Sequence, residues 1–303
     1  MPGQGQFGLV LATVAGGLGA LMATAPAGEK GAILTAPVRI GMVNSLFPDT
    51  PEATVDAMMQ SFAAILESQT GLVGTLTTWG DAVQLGKMLT EDKVHLGVFP
   101  GIDFGWARQK CPTIRPLVIA VNQHRQLRAL VLVQADAKIE KLADLQGKAF
   151  ALPQNTREHC HLFLERSLQA TGHEPKKLFA QITRPPTIED ALDDVVDNIV
   201  QGVLVDGVAL DCYQRRKPGR FSKLKIVEKS EIFPPAVVAY RPGALDDATL
   251  AKFRDGMINA NKGVPGRQFM TLWNMTGFEP MPADYDQIVD AIVKVYPAPV
   301  PAK

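Results

Sequence analysis

Residues 154–161 read Gln-Asn-Thr-Arg-Glu-His-Cys-His, which places two histidines, a cysteine, a glutamate and an arginine within eight positions. These residue types suggest three chemistries: metal binding, nucleophilic catalysis, or the gripping of an anion. On a helix, His159 and His161 lie about 200° apart around the axis, so they cannot share one ion without unwinding. A metal would instead need Glu158 or Glu165 beside His161, at helical spacings of three and four. Cys160 falls in register with Phe163, Leu164, Ser167 and Leu168 on one stripe, where a thiol packs as a small inert hydrophobe. Asn155 and Glu158 have capping-box spacing, and a negative Glu158 there complements the helix dipole. Arg157 can hold a carboxylate or phosphoryl group in bidentate fashion, or pair with a local acid. His159 is placed to tune the affinity of such a site.

Other polar groups recur where apolar runs end. They are Asn44-Ser45, Gly80-Asp81, Gly101-Ile102-Asp103, Asn155-Thr156-Arg157 and Asp206-Gly207. In open α/β sheets ligands bind beyond the carboxyl ends of strands, and helix N-termini there attract anions. The same aspartates and Asn155 serve equally as N-caps, worth about 1 kcal/mol each. No GxSxG, Walker lysine loop, HExxH or GxGxxG occurs, and His95, His124 and His173 are scattered.

The elements that must position these groups follow from periodicity. Val38–Val43 is a short apolar run, followed by a helix with Val55, Met58, Met59, Phe62, Ile65 and Leu66 on one face and Gly71 at its end. Strands are expected near Val73–Trp79, His95–Phe99, Ile114–Val121, Ala129–Val133, Ala149–Leu152, Val203–Val205 and Ala236–Tyr240. Helical patterns separate them, including Arg157 to Gly172 and Ile188–Ile199, and residues 246–295 read as mostly helical. Alternation of this kind predicts an α/β fold with mostly parallel sheets. Lys plus Arg equals Asp plus Glu, 31 against 31, so no basic excess supports binding to nucleic acid. The cysteines, 111, 160 and 212, form no CxxC. Residues 1–28 lack any Asp, Glu, Lys or Arg and have an apolar centre, which predicts a signal peptide over 1–27, although without a basic leader. Gly16, Gly17 and Gly19 argue against a spanning helix.

A family resemblance emerges at 128–152. Arg128-Ala-Leu-Val-Leu-Val, followed by Lys138-Ile-Glu-Lys-Leu-Ala-Asp-Leu-Gln-Gly-Lys-Ala-Phe-Ala, resembles the periplasmic phosphonate-binding proteins of ABC transporters, a type II binding-protein family. Residues 191–211 and 94–104 are similar to further blocks of that family, and the likeness spans roughly 38–280. The resemblance implies two lobes, 38–123 with 238–303 and 124–237, each a mostly parallel sheet flanked by helices and closing on a solute. It implies an exported, non-enzymatic component located in the periplasm or cell envelope. The expected component has no cofactor and no metal, acts as a monomer, and takes a small polar, anionic, phosphonate-like solute and an ABC permease as its partners. Taken with the strand-end groups, it gives as expected ligand residues Asn44, Ser45, Asp103, Thr156, Arg157, Glu158, His159 and Asp206. The chain departs from the family at the loop that reads Asn-Ser-Thr-Ser-Gly there, which falls on Thr156–Cys160. It also departs at Leu127, where the family has tyrosine, at Gln201, where it has an acid, and in 183–192, which lacks the family's histidine. Enzymes of cofactor biosynthesis and sensory domains share this fold; in the former, Glu158, His159 and Asp206 would supply acid–base chemistry.

Overall fold

The computed structural model describes residues 37–48, 50–154, 156–170 and 178–299. The expected signal peptide, the Asn155 half of the expected capping pair and His173 lie outside the described residues.

Two sheets organise the chain. The first has six strands in the order β11-β4-β10-β3-β1-β2: β1 Val38–Val43, β2 Gly74–Trp79, β3 Leu96–Phe99, β4 Arg115–Val121, β10 Ala236–Tyr240 and β11 Gly277–Pro280. The second has five in the order β7-β6-β8-β5-β9: β5 Ala129–Gln134, β6 Ala149–Ala151, β7 Gln181–Thr183, β8 Gly202–Asp206 and β9 Leu224–Lys229. The α/β, two-lobed architecture is the expected one. The pairing is not mostly parallel, and this corrects the expectation. Only β1 with β2 and β3, and β6 with β7 and β8, run parallel; β4, β5, β9, β10 and β11 pair antiparallel. The reason is topological. The chain leaves the first sheet at Val121 and returns at Ala236, which pairs next to the last residues of β3 and β4. A strand that enters at its neighbours' carboxyl ends must run against them. The same holds for β5, whose first residue, Ala129, pairs with Asp206 at the end of β8. Both crossings therefore lie at the carboxyl ends of the parallel strands. They pair with each other through Leu127 and Phe233, whose backbone N–H groups donate to each other's carbonyls at 3.0 and 2.9 Å.

Helices cover both faces of each sheet. α1 (Glu52–Thr70) buries Phe62, Ile65 and Leu66, and ends at Gly71 in the left-handed conformation that glycine adopts without strain. α2 (Ala82–Thr90) is N-capped by Asp81, which accepts from the Gln84 N–H at 2.8 Å. α3 (Gly101–Lys110) follows β3 directly through Pro100. α4 (Glu158–Ala170) packs Cys160, Phe163, Leu164 and Leu168 against Ala129, Val131 and Val133 of β5. The opposite face of β5, Leu130 and Leu132, meets Ala191, Leu192, Val195 and Val196 of α5 (Ile188–Val196). Two-sided burial explains why the Ala-Leu-Val-Leu-Val run shows no polar alternation. α6 (Gly207–Arg216) starts on β8 and α7 (Pro218–Phe221) follows it. α8 (Asp247–Ile258), α9 (Val264–Leu272) and α10 (Tyr285–Val295) complete the first lobe.

The C-terminal segment reaches back to the crossings. Tyr296 accepts a hydrogen bond at its carbonyl from Trp106 Nε1 (2.9 Å), and its hydroxyl donates to Glu231 Oε2 (2.6 Å). Its ring lies 4.8 Å from that of Phe233. Ile102, Trp106, Phe233, Ile292 and Val293, joined by Leu127 and Leu162, form an apolar cluster around it.

Candidate functional site

The polar groups expected at strand ends gather where the crossings do. Ser45 follows β1 on a short 3-10 turn, Asn44–Leu46. Asp103 sits in the first turn of α3, only 4% exposed. It is not the N-cap of α3, because Pro100 occupies that position. Instead Ser45 Oγ donates to Asp103 Oδ2 at 2.5 Å, while Oδ1 has no partner among the described residues. Burial pushes the Asp103 carboxyl up to about 7; the Ser45 hydrogen bond opposes this, and the nearby charges of Glu158 and Asp81 add to it.

The second lobe contributes the start of α4. Thr156 is buried and its hydroxyl donates to the Pro153 carbonyl at 2.6 Å, so that group is engaged in shaping the loop. His159 is 5% exposed, and its Nε2 lies 3.0 Å from Asp206 Oδ2. Asp206 Oδ1 accepts from the Val208 N–H at 2.8 Å and caps α6. Burial works against the Asp206 charge, yet the contact with His159, the nearby Arg157 and the Val208 N–H hold its carboxyl below the usual range. The His159–Asp206 contact thus ties the first turn of α4 to the end of β8. Cys160 is fully buried, with its thiol pushed up chiefly by burial and 3.4 Å from His159 Nε2. Arg157 is half-buried, and its guanidinium has neither an ion pair nor a hydrogen bond among the described residues; its charge acts on Asp206 and Cys160 from a distance, and its backbone carbonyl accepts from the Cys160 N–H at 2.9 Å. Among the described residues no group of three His, Cys, Asp or Glu is arranged to hold a metal.

Two cavities meet at Arg157. One, of about 370 Å³, is lined by Ser45, Leu46, Arg157, Glu158 and His159 and, on the first lobe, by an apolar wall that includes Met58, Phe62, Phe269, Trp273 and Phe278. The other, of about 500 Å³, takes in Thr156, Arg157, Asp206, Thr187, Glu189 and Arg216. Asn122 and Asn274 border both. Of the residues expected at the site, Asn44 is exposed and lines neither cavity, and Asp103 lies behind Ser45. The apolar wall escaped sequence reasoning as a site. Met58 and Phe62 were legible only as part of the buried stripe of α1, and nothing in spacing tells a stripe that faces core from one whose edge faces a cavity. Asn274, in the left-handed conformation at φ 48°, carries no motif at all.

Two α/β lobes joined by paired crossings, with cavities at the carboxyl ends of both sheets, define a solute-binding protein of the periplasmic type. The chain belongs to the phosphonate periplasmic substrate-binding protein family of ABC transporters, matched over residues 45–285. Its fold is similar to that of XAC2383 from Xanthomonas citri, solved with chloride: TM-score 0.58, 18% identity, 85% of this chain and 96% of that chain. It is similar to PhnD1 from Prochlorococcus marinus, solved with methylphosphonate: TM-score 0.55, 12% identity, 85% and 97% covered. It is also similar to a binding protein component of an ABC phosphonate transporter (PA3383) from Pseudomonas aeruginosa: TM-score 0.52, 15% identity, 85% and 87% covered. No curated protein matches the chain by sequence. Among the described residues no helix is long and apolar enough to cross a membrane.

Proposed function

We propose that this chain is the exported solute-binding component of an ABC-type transporter, acting as a monomer, and that it captures a small polar, anionic, phosphonate-like solute between its lobes. Arg157 carries this reading. Arg157 is half-buried and lines both cavities, its guanidinium has no hydrogen-bond or ion-pair partner among the described residues, and its planar fork matches a carboxylate or phosphonate. It immediately precedes α4, whose first backbone N–H groups point outward and favour negative charge. Ser45, from the opposite lobe, lines the same cavity while its hydroxyl proton is given to Asp103. A solute that touches both would favour closure of one lobe (38–123 with 238–303) onto the other (124–237) about the crossings. The closed form would then be offered to a permease.

An enzyme built on Glu158, His159 and Asp206 finds no support in the geometry. His159 is 5% exposed and its Nε2 lies 3.0 Å from Asp206 Oδ2, so that nitrogen is taken up within the protein. The test of the transport reading is calorimetric titration with alkyl- and arylphosphonates. Arg157→Ala is expected to weaken phosphonate binding by roughly tenfold or more, as for a lost charge-assisted hydrogen bond, with the melting temperature retained. Unchanged affinity in that variant, or a transition metal held through His159, Cys160 and His161, overturns the reading.

A further inference from the structure

We propose that the solute carries a sizeable apolar, aromatic-compatible body, seated on the first lobe, in addition to the anionic head assigned to Arg157. The inference rests on the transport reading and names the class of solute: an organophosphonate with an aryl or long alkyl substituent.

The first observation is the division of the cavity. Its ionisable lining residues, Arg157, Glu158 and His159, all come from the first residues of α4 and the one just before it, in the second lobe. The wall opposite is mostly apolar, formed by Leu46, Met58, Phe62, Phe269, Trp273 and Phe278, and its polar groups, on Ser45, Thr50, Asn122 and Asn274, are uncharged. A ligand that touches both walls must be polar at one end and apolar at the other.

The second observation is size. A cavity of about 370 Å³ equals roughly a dozen water-sized volumes and falls in the range that holds a drug-sized molecule. A one-carbon phosphonate has five heavy atoms and leaves most of it unfilled. Water left over would face mainly rings and thioethers, which give it few of the partners that a buried water needs.

The third observation is that the wall is built rigidly. Trp273 meets Phe47, Phe62 and Phe269 with ring centroids 5.8, 6.0 and 5.7 Å apart, and Phe62 meets Phe269 at 5.5 Å. Trp273 Nε1 donates to Ser61 Oγ at 3.3 Å, which fixes the indole from behind. Trp273 is nevertheless only half-buried, and Leu272 beside it is 46% exposed. An aromatic cluster pinned on its inner side and open towards a cavity presents a preformed platform. An apolar body placed there gains burial without having to order the side chains that receive it.

Isothermal titration calorimetry with two crossed series tests this. One series keeps the phosphonate head and varies the body: methyl, butyl and phenylethyl. The other keeps the phenylethyl body and varies the head: phosphonate, sulfonate, carboxylate and ammonium. Phenylethylphosphonate is expected to bind at least about tenfold tighter than methylphosphonate, from burial of its added apolar surface. Trp273→Ala, or Leu272→Ser where the first variant fails to fold, is expected to bring the ratio of those two affinities towards one. Equal or tighter binding of methylphosphonate overturns the inference while leaving the anionic reading intact. Preference for phenylethylammonium over the phosphonate overturns the anionic reading while the apolar body stands. Binding by no member of either series overturns both.

Discussion

Arg157 and His159 stand two residues apart at the start of one helix, and the structure gives them opposite roles. Arg157 lines both cavities and its guanidinium has no partner among the described residues; His159 borders the smaller cavity but is nearly buried, with its Nε2 beside Asp206. The chemistry of residues 154–161 was legible in part. Cys160 reads as core from its spacing with Phe163, Leu164 and Leu168, and the structure buries it completely. The burial of His159 was not legible, because the core-facing arc at the start of α4 is wider than that one stripe: His159 lies four residues before Phe163 and shares its face. Asp103 was legible as a strand-end acid but not as a buried one. Its carboxyl is raised to about 7, so between its ordinary value near 4 and that point the folded chain holds a proton that the unfolded chain has released. Stability from this group is therefore fully present at acid pH and is lost as pH rises through that window. Asp103→Asn is expected to be more stable than the wild type at pH 8, by on the order of 4 kcal/mol, and to converge with it towards pH 4. Urea unfolding at pH 4.5, 6 and 8 measures the difference, and a gap that does not change with pH contradicts the assignment.

At the scale of elements, α3 is the part whose position matters most to the cleft. Its first residue, Gly101, follows β3 so closely that a Cβ there would fall 2.4 Å from the Pro234 carbonyl oxygen and 2.5 Å from that of Pro235. Those carbonyls belong to the returning crossing. Backbone cannot retreat as the end of a side chain can, so Gly101→Ala must push α3 away from the crossing and carry Asp103 with it. The variant is expected to lose several kcal/mol of stability and to bind solute poorly, in the range of severe core overpacking. Gly219→Ala, in α7 with open space around the added carbon, is the matched control and is expected to change stability by less than about 1 kcal/mol. Thermal unfolding of both variants settles the comparison. Most long elements were legible from periodicity. β7, β9 and β11 were not. β7 is three residues long, and β11 reads Gly-Phe-Glu-Pro, an edge strand with the two residues least suited to a sheet interior. The antiparallel returns were not legible either, since no local pattern records which end of a sheet a crossing re-enters.

For the molecule as a whole, the two sheets place their carboxyl ends towards one region, and both crossings run through it. The C-terminal Tyr296 adds a third tie, linking α3 through Trp106 to the crossing through Glu231, whose carboxylate also receives Arg166. The cavities lie where these paths meet. A solute that spans the smaller cavity would touch both lobes, meeting a mostly apolar wall on the first and ionisable side chains on the second. That division is the central claim. Hydrogen exchange with mass spectrometry, with and without saturating phenylethylphosphonate, tests it most directly. The account predicts slowed exchange in both lobes at once, over residues 44–48 and 268–276 of the first and 156–161 of the second. Protection confined to one lobe, or appearing away from these segments, would contradict it.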